Sequence, residues 1–166
     1  NKITVPSSVD SLHSLIANTK KSLMGAKVDE RGLKQPRARG CLDVQVGQDS
    51  IDRAMLIMDT LVKALETRGF DISVAKDPPF STSVSVMNEV IKFALNEDLI
   101  RTERKLTTAQ MKEKEKHPWM YSTNEYDYSP NGILSLTIKN DDVMNTRKTW
   151  SDGRKQRLED CLNSFV

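Results

Sequence analysis

The stretch from Ile51 to Leu65 constrains the fold more than any other. Ile51, Ala54, Met55, Met58, Leu61, Val62 and Leu65 recur at i, i+3, i+4 and i+7, the period of a helix with one apolar face. Asp49 stands where an N-cap belongs, Asp52 suits the positive helix end and Arg68 the negative one, and Gly69 fits a left-handed C-terminal cap. On both sides the period changes to two. Leu42, Val44 and Val46 alternate with Asp43 and Gln45, and Phe70, Ile72 and Val74 with Asp71 and Ser73. A one-sided helix between two half-buried strands needs a sheet against which to bury its stripe.

The remaining segments supply that sheet. Thr82–Val86 and Val90–Leu95 flank a short hairpin connection, Met87-Asn88-Glu89, and Leu99–Leu106 reads as a third, charged edge strand. Thr107–His117 is polar and reads as a solvated loop or a frayed helix. Tyr126–Gly132 joins strand formers to a Pro130-Asn131-Gly132 turn, after which Leu134, Leu136 and Ile138 alternate as another strand. Thr146–Trp150 pairs with it as a hairpin, and Asp152 caps a terminal helix carrying Leu158, Cys161, Leu162 and Phe165 on one face. At the other end, Val9, Leu12, Leu15 and Ile16 mark a short helix, and the Gly-, Pro- and Lys/Arg-rich run from Asn18 to Gly40 reads as a linker. The expected architecture is α+β: a mostly antiparallel sheet of about five to seven strands with two amphipathic helices on one face, plus a short N-terminal helix. Residues 1–39 are expected to be helix and basic linker, and 40–166 a single domain.

Net charge is +2, from 25 Lys+Arg against 23 Asp+Glu, but it is unevenly placed: +5 over 18–39, −5 over 40–100 and +3 over 101–117. Uniform attraction to nucleic acid is therefore not expected. No apolar run approaches the roughly 20 residues of a membrane helix, and the start does not read as a signal peptide, so a cytoplasmic protein without a membrane partner is expected. Cys41 and Cys161 lie on apolar faces without CxxC spacing and read as buried thiols. His13 and His117 lack ligand partners at useful spacing, and neither GxxxxGK[ST] nor GxGxxG occurs. No metal, cofactor or compact catalytic set is expected.

Candidate contact residues fall in two places. In Trp150-Ser151-Asp152-Gly153, Trp150 ends a strand, Asp152 caps a helix and Gly153 permits the turn; alternatively, Arg154, Lys155, Gln156 and Arg157 at that helix start form an anion site with Trp150, Asp152, Tyr126 and Tyr128. Tyr126, Tyr128, Trp119 and Tyr121 also follow the basic residues Arg101, Arg104, Lys105, Lys112, Lys114 and Lys116, the ingredients of a nucleic-acid surface, although Glu103, Glu113 and Glu115 offset half that charge. Asp77, Glu89 and Lys92 are the nearest approach to a metal-dependent nuclease set, at loose spacing.

Three blocks, Leu42–Gly69, Tyr126–Gly132 and Trp150–Asp160, occur in this order in a group of bacterial proteins that the chain resembles over about residues 40–166. The group consists of uncharacterised proteins whose N-terminal portion carries a helix-turn-helix-like segment and which are associated with mobile or accessory DNA. The resemblance implies a transcriptional-regulator type of role: a non-enzymatic regulatory or interaction domain, acting in ligand sensing or self-association, with DNA met through an N-terminal segment outside this chain and a homo-oligomer as a partner state. A chain that starts without Met and ends within an apolar helix face reads as a fragment. Direct nucleic-acid binding through 18–39 and 101–117 is the competing expectation, and a nuclease the third.

Overall fold

A computed structural model describes residues 2–77, 79–120, 126–140 and 147–166. The fold is α+β. Helix α1 (Ser14–Gly25) leads to strand β1 (Val44–Gln45), a 3-10 turn (Gln48–Ser50) and helix α2 (Ile51–Thr67). Strands β2 (Asp71–Val74), β3 (Thr82–Val86) and β4 (Glu89–Glu103) follow. Helix α3 (Thr108–Lys116) and a 3-10 turn (Pro118–Met120) then separate β4 from β5 (Tyr126–Ile138), and the chain ends with β6 (Thr149–Ser151) and helix α4 (Leu158–Phe165). The sheet has six strands in the order β2-β3-β4-β5-β6, with antiparallel pairs throughout that path. Short β1 runs parallel to β4, Val44 beside Leu95.

Helix α2 ends as its sequence dictates. Gly69 adopts φ +81° and donates to the Glu66 carbonyl at 2.8 Å, while Phe70 N–H returns to the Leu65 carbonyl at 3.1 Å; this paired closure uses the left-handed residue that glycine tolerates without a Cβ penalty. The apolar stripe of α2 is buried, together with Ile57 and Asp59. Its N-cap position is Ser50, the last residue of the 3-10 turn, so Asp49 does not serve as the cap. One core cluster joins this stripe to Phe93, Leu95, Leu134, Leu136 and Trp150 of the sheet, to Leu158, Cys161 and Leu162 of α4, and to Ile16 and Leu23 of α1. Register explains the choice of strand residues. Thr82, Phe93 and Ile138 are successive partners across three strands, as are Leu95, Leu136 and Trp150, so they share a side of the pleat.

Several boundaries differ from those the sequence predicts. The N-terminal helix begins at Ser14, leaving Val9 and Leu12 outside it, and extends through Gly25 into the expected linker; its inward side is Ile16, Thr19 and Leu23, so a threonine that bonds the Leu15 carbonyl and the Leu42 N–H replaces one apolar position. Residues 3–13 instead lie outside any helix or strand and are tied down near both ends. Asn163 holds Ile3 by two hydrogen bonds, 2.7 and 2.9 Å, and buried Asp59 accepts His13 N–H at 2.6 Å and the Lys63 ammonium at 2.7 Å. The hairpin turn is Met87-Asn88 alone, both with positive φ, as a two-residue turn matching strand twist requires. Leu99–Glu103 is no separate strand but the outer half of β4. Likewise Pro130-Asn131-Gly132 does not turn the chain back: β5 runs through it, and the register shifts there, residues 131–133 of β5 bulging opposite the single residue Asp98 between Glu97 and Leu99 of β4. Thr107–His117 contains a helix with a reciprocal cap, the Thr107 hydroxyl accepting from Gln110 N–H and the Gln110 amide oxygen from Thr107 N–H. Helix α4 starts at Leu158, and residues 153–156 form a turn closed by Gly153 N–H to the Gln156 carbonyl. Thr146 and Tyr121 lie outside the described residues.

Candidate functional site

The long strands β4 and β5 divide at their bulge into two unequal halves, and side chains from distant segments fix the dividing point. Arg53, on α2, donates four hydrogen bonds to two carboxylates: Nη1 and Nη2 to Asp152 at 2.8 and 2.6 Å, Nε and Nη2 to Glu159 at 2.8 and 2.7 Å. Its Nη1 also reaches the Gly132 carbonyl in the bulge at 3.3 Å. Asp152 in turn accepts the N–H of Leu134 and of Leu158, both at 2.8 Å, so one carboxylate ties β5 to the first residue of α4. Burial opposes ionisation of Asp152, but the Arg53 and backbone hydrogen bonds outweigh it and hold the carboxyl below its ordinary range. The Arg53 hydrogen bonds likewise hold Glu159 down against the desolvation that opposes them. Bidentate pairing of this kind fixes direction as well as charge.

Glu97 secures the bulge from the other side. It follows Phe93 and Leu95 at strand period, is buried, and accepts Gly47 N–H at 2.8 Å and Gly132 N–H at 2.6 Å. Pro130 is wedged between two loops: a Cβ at Gly47 would lie 2.9 Å from the Pro130 Cβ and Cγ, and one at Gly32 2.9 Å from its Cδ. These residues, with Asp49, Ile100 and Asn131, line a cleft of about 550 Å³ at the junction. Asp98, left unpaired by the bulge, has its carboxyl raised by desolvation and by the charges of Asp152 and Glu97. Among the described residues every buried side-chain N or O has a partner, so this junction is a satisfied structural lock and offers no orphan group to a ligand.

Beyond the lock the ribbon leaves the core. Leu99–Glu103 pairs with Tyr126–Pro130, Arg101 opposite Tyr128 and Glu103 opposite Tyr126. Arg101, Thr102 and Glu103 on β4 and Asp127, Tyr128 and Ser129 on β5 are all exposed, although strand neighbours point to opposite sides, so both faces meet solvent. The Arg101 guanidinium lies 4.3 Å over the Tyr126 ring, and Arg104 pairs with Asp127 at 2.7 Å. Helix α3 buries none of its residues and packs chiefly on the turn Pro118–Met120. Met111, Trp119 and Met120 are exposed, Trp119 meeting the His117 ring edge-on at 5.2 Å. The described residues among 99–130, the arm of the molecule, thus lie outside the core cluster.

The two expected groups of contact residues are separated by this geometry. Trp150 is a core residue, its indole N–H bonded to the Ser164 hydroxyl at 3.0 Å and its ring meeting Phe165 edge-on. Asp152 is occupied by Arg53 and two backbone groups. Arg154 and Lys155 are exposed in the turn, Gln156 bonds the Ser151 carbonyl, and Arg157 precedes α4 with its N–H on the Asp160 carboxylate. Tyr126 and Tyr128 stand on the arm, about 27 Å or more along β5 from the partner of Trp150 at ~3.4 Å per residue, so no single anion site unites them with Trp150. Arg101 and Arg104 hold places on and just after the β4/β5 ribbon, whereas Lys112 and Lys114 lie on α3, which packs chiefly on Pro118–Met120. Asp77 pairs with Arg39 at 3.0 Å, Glu89 sits at the hairpin end and Lys92 is exposed further along β4. Among the described residues no group of three or more His, Cys, Asp or Glu is arranged to hold a metal ion. Both thiols are free and buried, and burial pushes them up. His13 accepts Leu15 N–H on Nδ1 and faces Glu66 through Nε2.

Arg53, Glu97 and Glu159 are the residues that sequence reasoning misses. Glu97 carries a signal, a carboxylate at an inward strand position, whereas Arg53 and Glu159 flank apolar stripes where charge is ordinary. The three sequence blocks meet here: Arg53 comes from the first, Gly132 from the second, Asp152 and Glu159 from the third. No described helix is long and apolar enough to cross a membrane. No family model, no curated protein and no solved structure matches the chain.

Proposed function

We propose that this chain is a non-enzymatic interaction domain of a DNA-associated regulatory protein, whose core is a platform and whose arm, residues 99–130, makes the contact. The observation that carries this reading is the arm itself: a paired ribbon and a capped helix that fold outside the core cluster and leave Ile100, Met111, Trp119, Met120 and Tyr128 exposed. A chain ordered this far from its core loses conformational entropy, roughly 1–2 kcal/mol per residue for the backbone, with little burial to offset it. A binding surface gives that order a use. The lock at Arg53 and Glu97 supports the same reading, because a contact element carried on a fixed base presents its side chains in one orientation.

Replacing residues 101–128 by Asn-Gly tests this. The shortened chain is expected to keep its thermal transition within a few degrees and to lose both self-association by light scattering and nucleic-acid binding by anisotropy, whichever the intact chain shows. Survival of those interactions without the arm refutes the reading, as does Mg²⁺-dependent cleavage of nucleic acid by the intact chain.

A further inference from the structure

We infer that the outer edge of β4, Leu99–Glu103, pairs antiparallel with the same edge of a second copy about a two-fold axis at Thr102, an inference that rests on the arm being the contact element. That edge is open. On the side of β4 away from β5, β3 takes Glu89–Phe93 and β1 takes Leu95 and Asn96, and beyond these no strand among the described residues lies alongside. The N–H and C=O groups that point to that side are a template for a further strand. A two-stranded ribbon is marginal by itself, whereas three or more strands hold together; joining two ribbons by their β4 edges makes four. The second ribbon thus supplies what the first lacks. β5 offers a poorer edge, because Pro130 has no N–H to donate and Asp127, the single charge of that strand, is already paired with Arg104.

The order of charges selects a second copy, and one register of it. A two-fold axis normal to the sheet keeps each side chain on its own face, so the axis passes at a residue and pairs positions of equal parity. Centred on Ile100, the pairing sets Glu97 against Glu103; centred on Arg101 or on Glu103, it sets that residue against its own copy. Like charges directly opposite are destabilising. Further in than Ile100, the place of the incoming strand is taken by β1. Centred on Thr102, the pairing sets each Arg101 against the second copy's Glu103 and Thr102 against Thr102, both favourable cross-strand pairs, with no like charges opposed. Arg101 and Glu103 are exposed, and neither forms an ion pair among the described residues. The chain carries only +2, and residues 99–130 have six Lys/Arg against five Asp/Glu, so two copies approach without strong repulsion.

Sedimentation velocity and light scattering on the whole chain test the inference. A dimer is expected. R101E and E103R each turn two attractive pairs into two repulsive ones and are expected to weaken dimerisation about 10- to 100-fold. The double variant R101E/E103R sets opposite signs face to face again and is expected to restore it. Both positions are exposed, so all three variants should melt as the intact chain does. If the single reversals have no effect while the Asn-Gly replacement of the arm removes the dimer, edge pairing is overturned and the arm remains a contact element. Loss of the dimer in W119S, on the exposed turn after α3, then places the contact at Met111, Trp119 and Met120 instead. A chain that stays monomeric overturns the second copy as partner, and a dimer that survives arm replacement at full strength overturns both readings.

Discussion

Replacing Arg53 by methionine keeps the side-chain stem against α2 and removes the charge that Asp152 and Glu159 share. Both carboxylates then face each other with only backbone donors left to Asp152. Breaking a buried pair by deleting one partner costs about 3–5 kcal/mol. The three side chains here are 25%, 14% and 22% exposed, so screening reduces the figure to about 2–4 kcal/mol. For a chain of this size that is a fall of about 6–12 °C in melting temperature. The effect depends on pH with a definite sign. Asp152 and Glu159 have folded-state values lowered from 3.8 and 4.5, so their stabilisation is fully present above the unfolded values and is lost as pH falls through the lowered ones. Arg53 is held further above its already high range and stays charged throughout. Urea melts of both proteins at pH 7 and pH 3 give the test: the wild type loses stability on acidification, protonation relieves the variant's two opposed carboxylates, and the difference between them narrows. A difference under about 1 kcal/mol at pH 7, or one unchanged at pH 3, refutes the role given to this network.

Two further substitutions probe the base of the arm. Gly47→Ala introduces a Cβ at 2.9 Å from Pro130 and 3.3 Å from the Glu97 carboxylate; both neighbours are fixed, and urea melts should show a loss of about 1–3 kcal/mol, with no loss contradicting the close approach. Asp98→Asn should stabilise by about 0.5 kcal/mol at pH 7, since it removes a partly exposed charge repelled by Asp152 and Glu97. Because desolvation and these charges raise that carboxyl in the folded state, its cost is full above the raised value, shrinks as pH falls below it and is gone below the unfolded value of 3.8, so the gain should vanish on acidification; a gain independent of pH would count against the charged carboxylate as its source.

Periodicity makes the inner half of this protein readable from its residues. Helix α2, its glycine closure, the Met87-Asn88 hairpin and the terminal helix face follow from spacing, because each has a clean 3.6 or 2.0 repeat bounded by turn residues. Where the repeat is interrupted by polar residues with tertiary partners, the reading fails. Thr19 hides the inward side of α1 by bonding two backbone groups, and Pro130-Asn131-Gly132 has the composition of a turn although Glu97 and Arg53 hold it within a strand. The basic residues of 101–117 are visible in the sequence as charge. That they stand on an arm is not, since local pattern says nothing about what fails to touch the core.

The hydrogen bonds between Ile3 and Asn163 join residues 160 positions apart, and Arg53 awaits carboxylates 99 and 106 positions away. At roughly 5–20 residues per second, a nascent chain therefore spends about 8–30 s between making Ile3 and making Asn163. During that interval the apolar stripe of α2 has no α4 against which to close. The α2 stripe consequently closes only after Leu158–Phe165 has been made, and a ribosome stalled before Leu158 would leave a greasy helix open to chaperones.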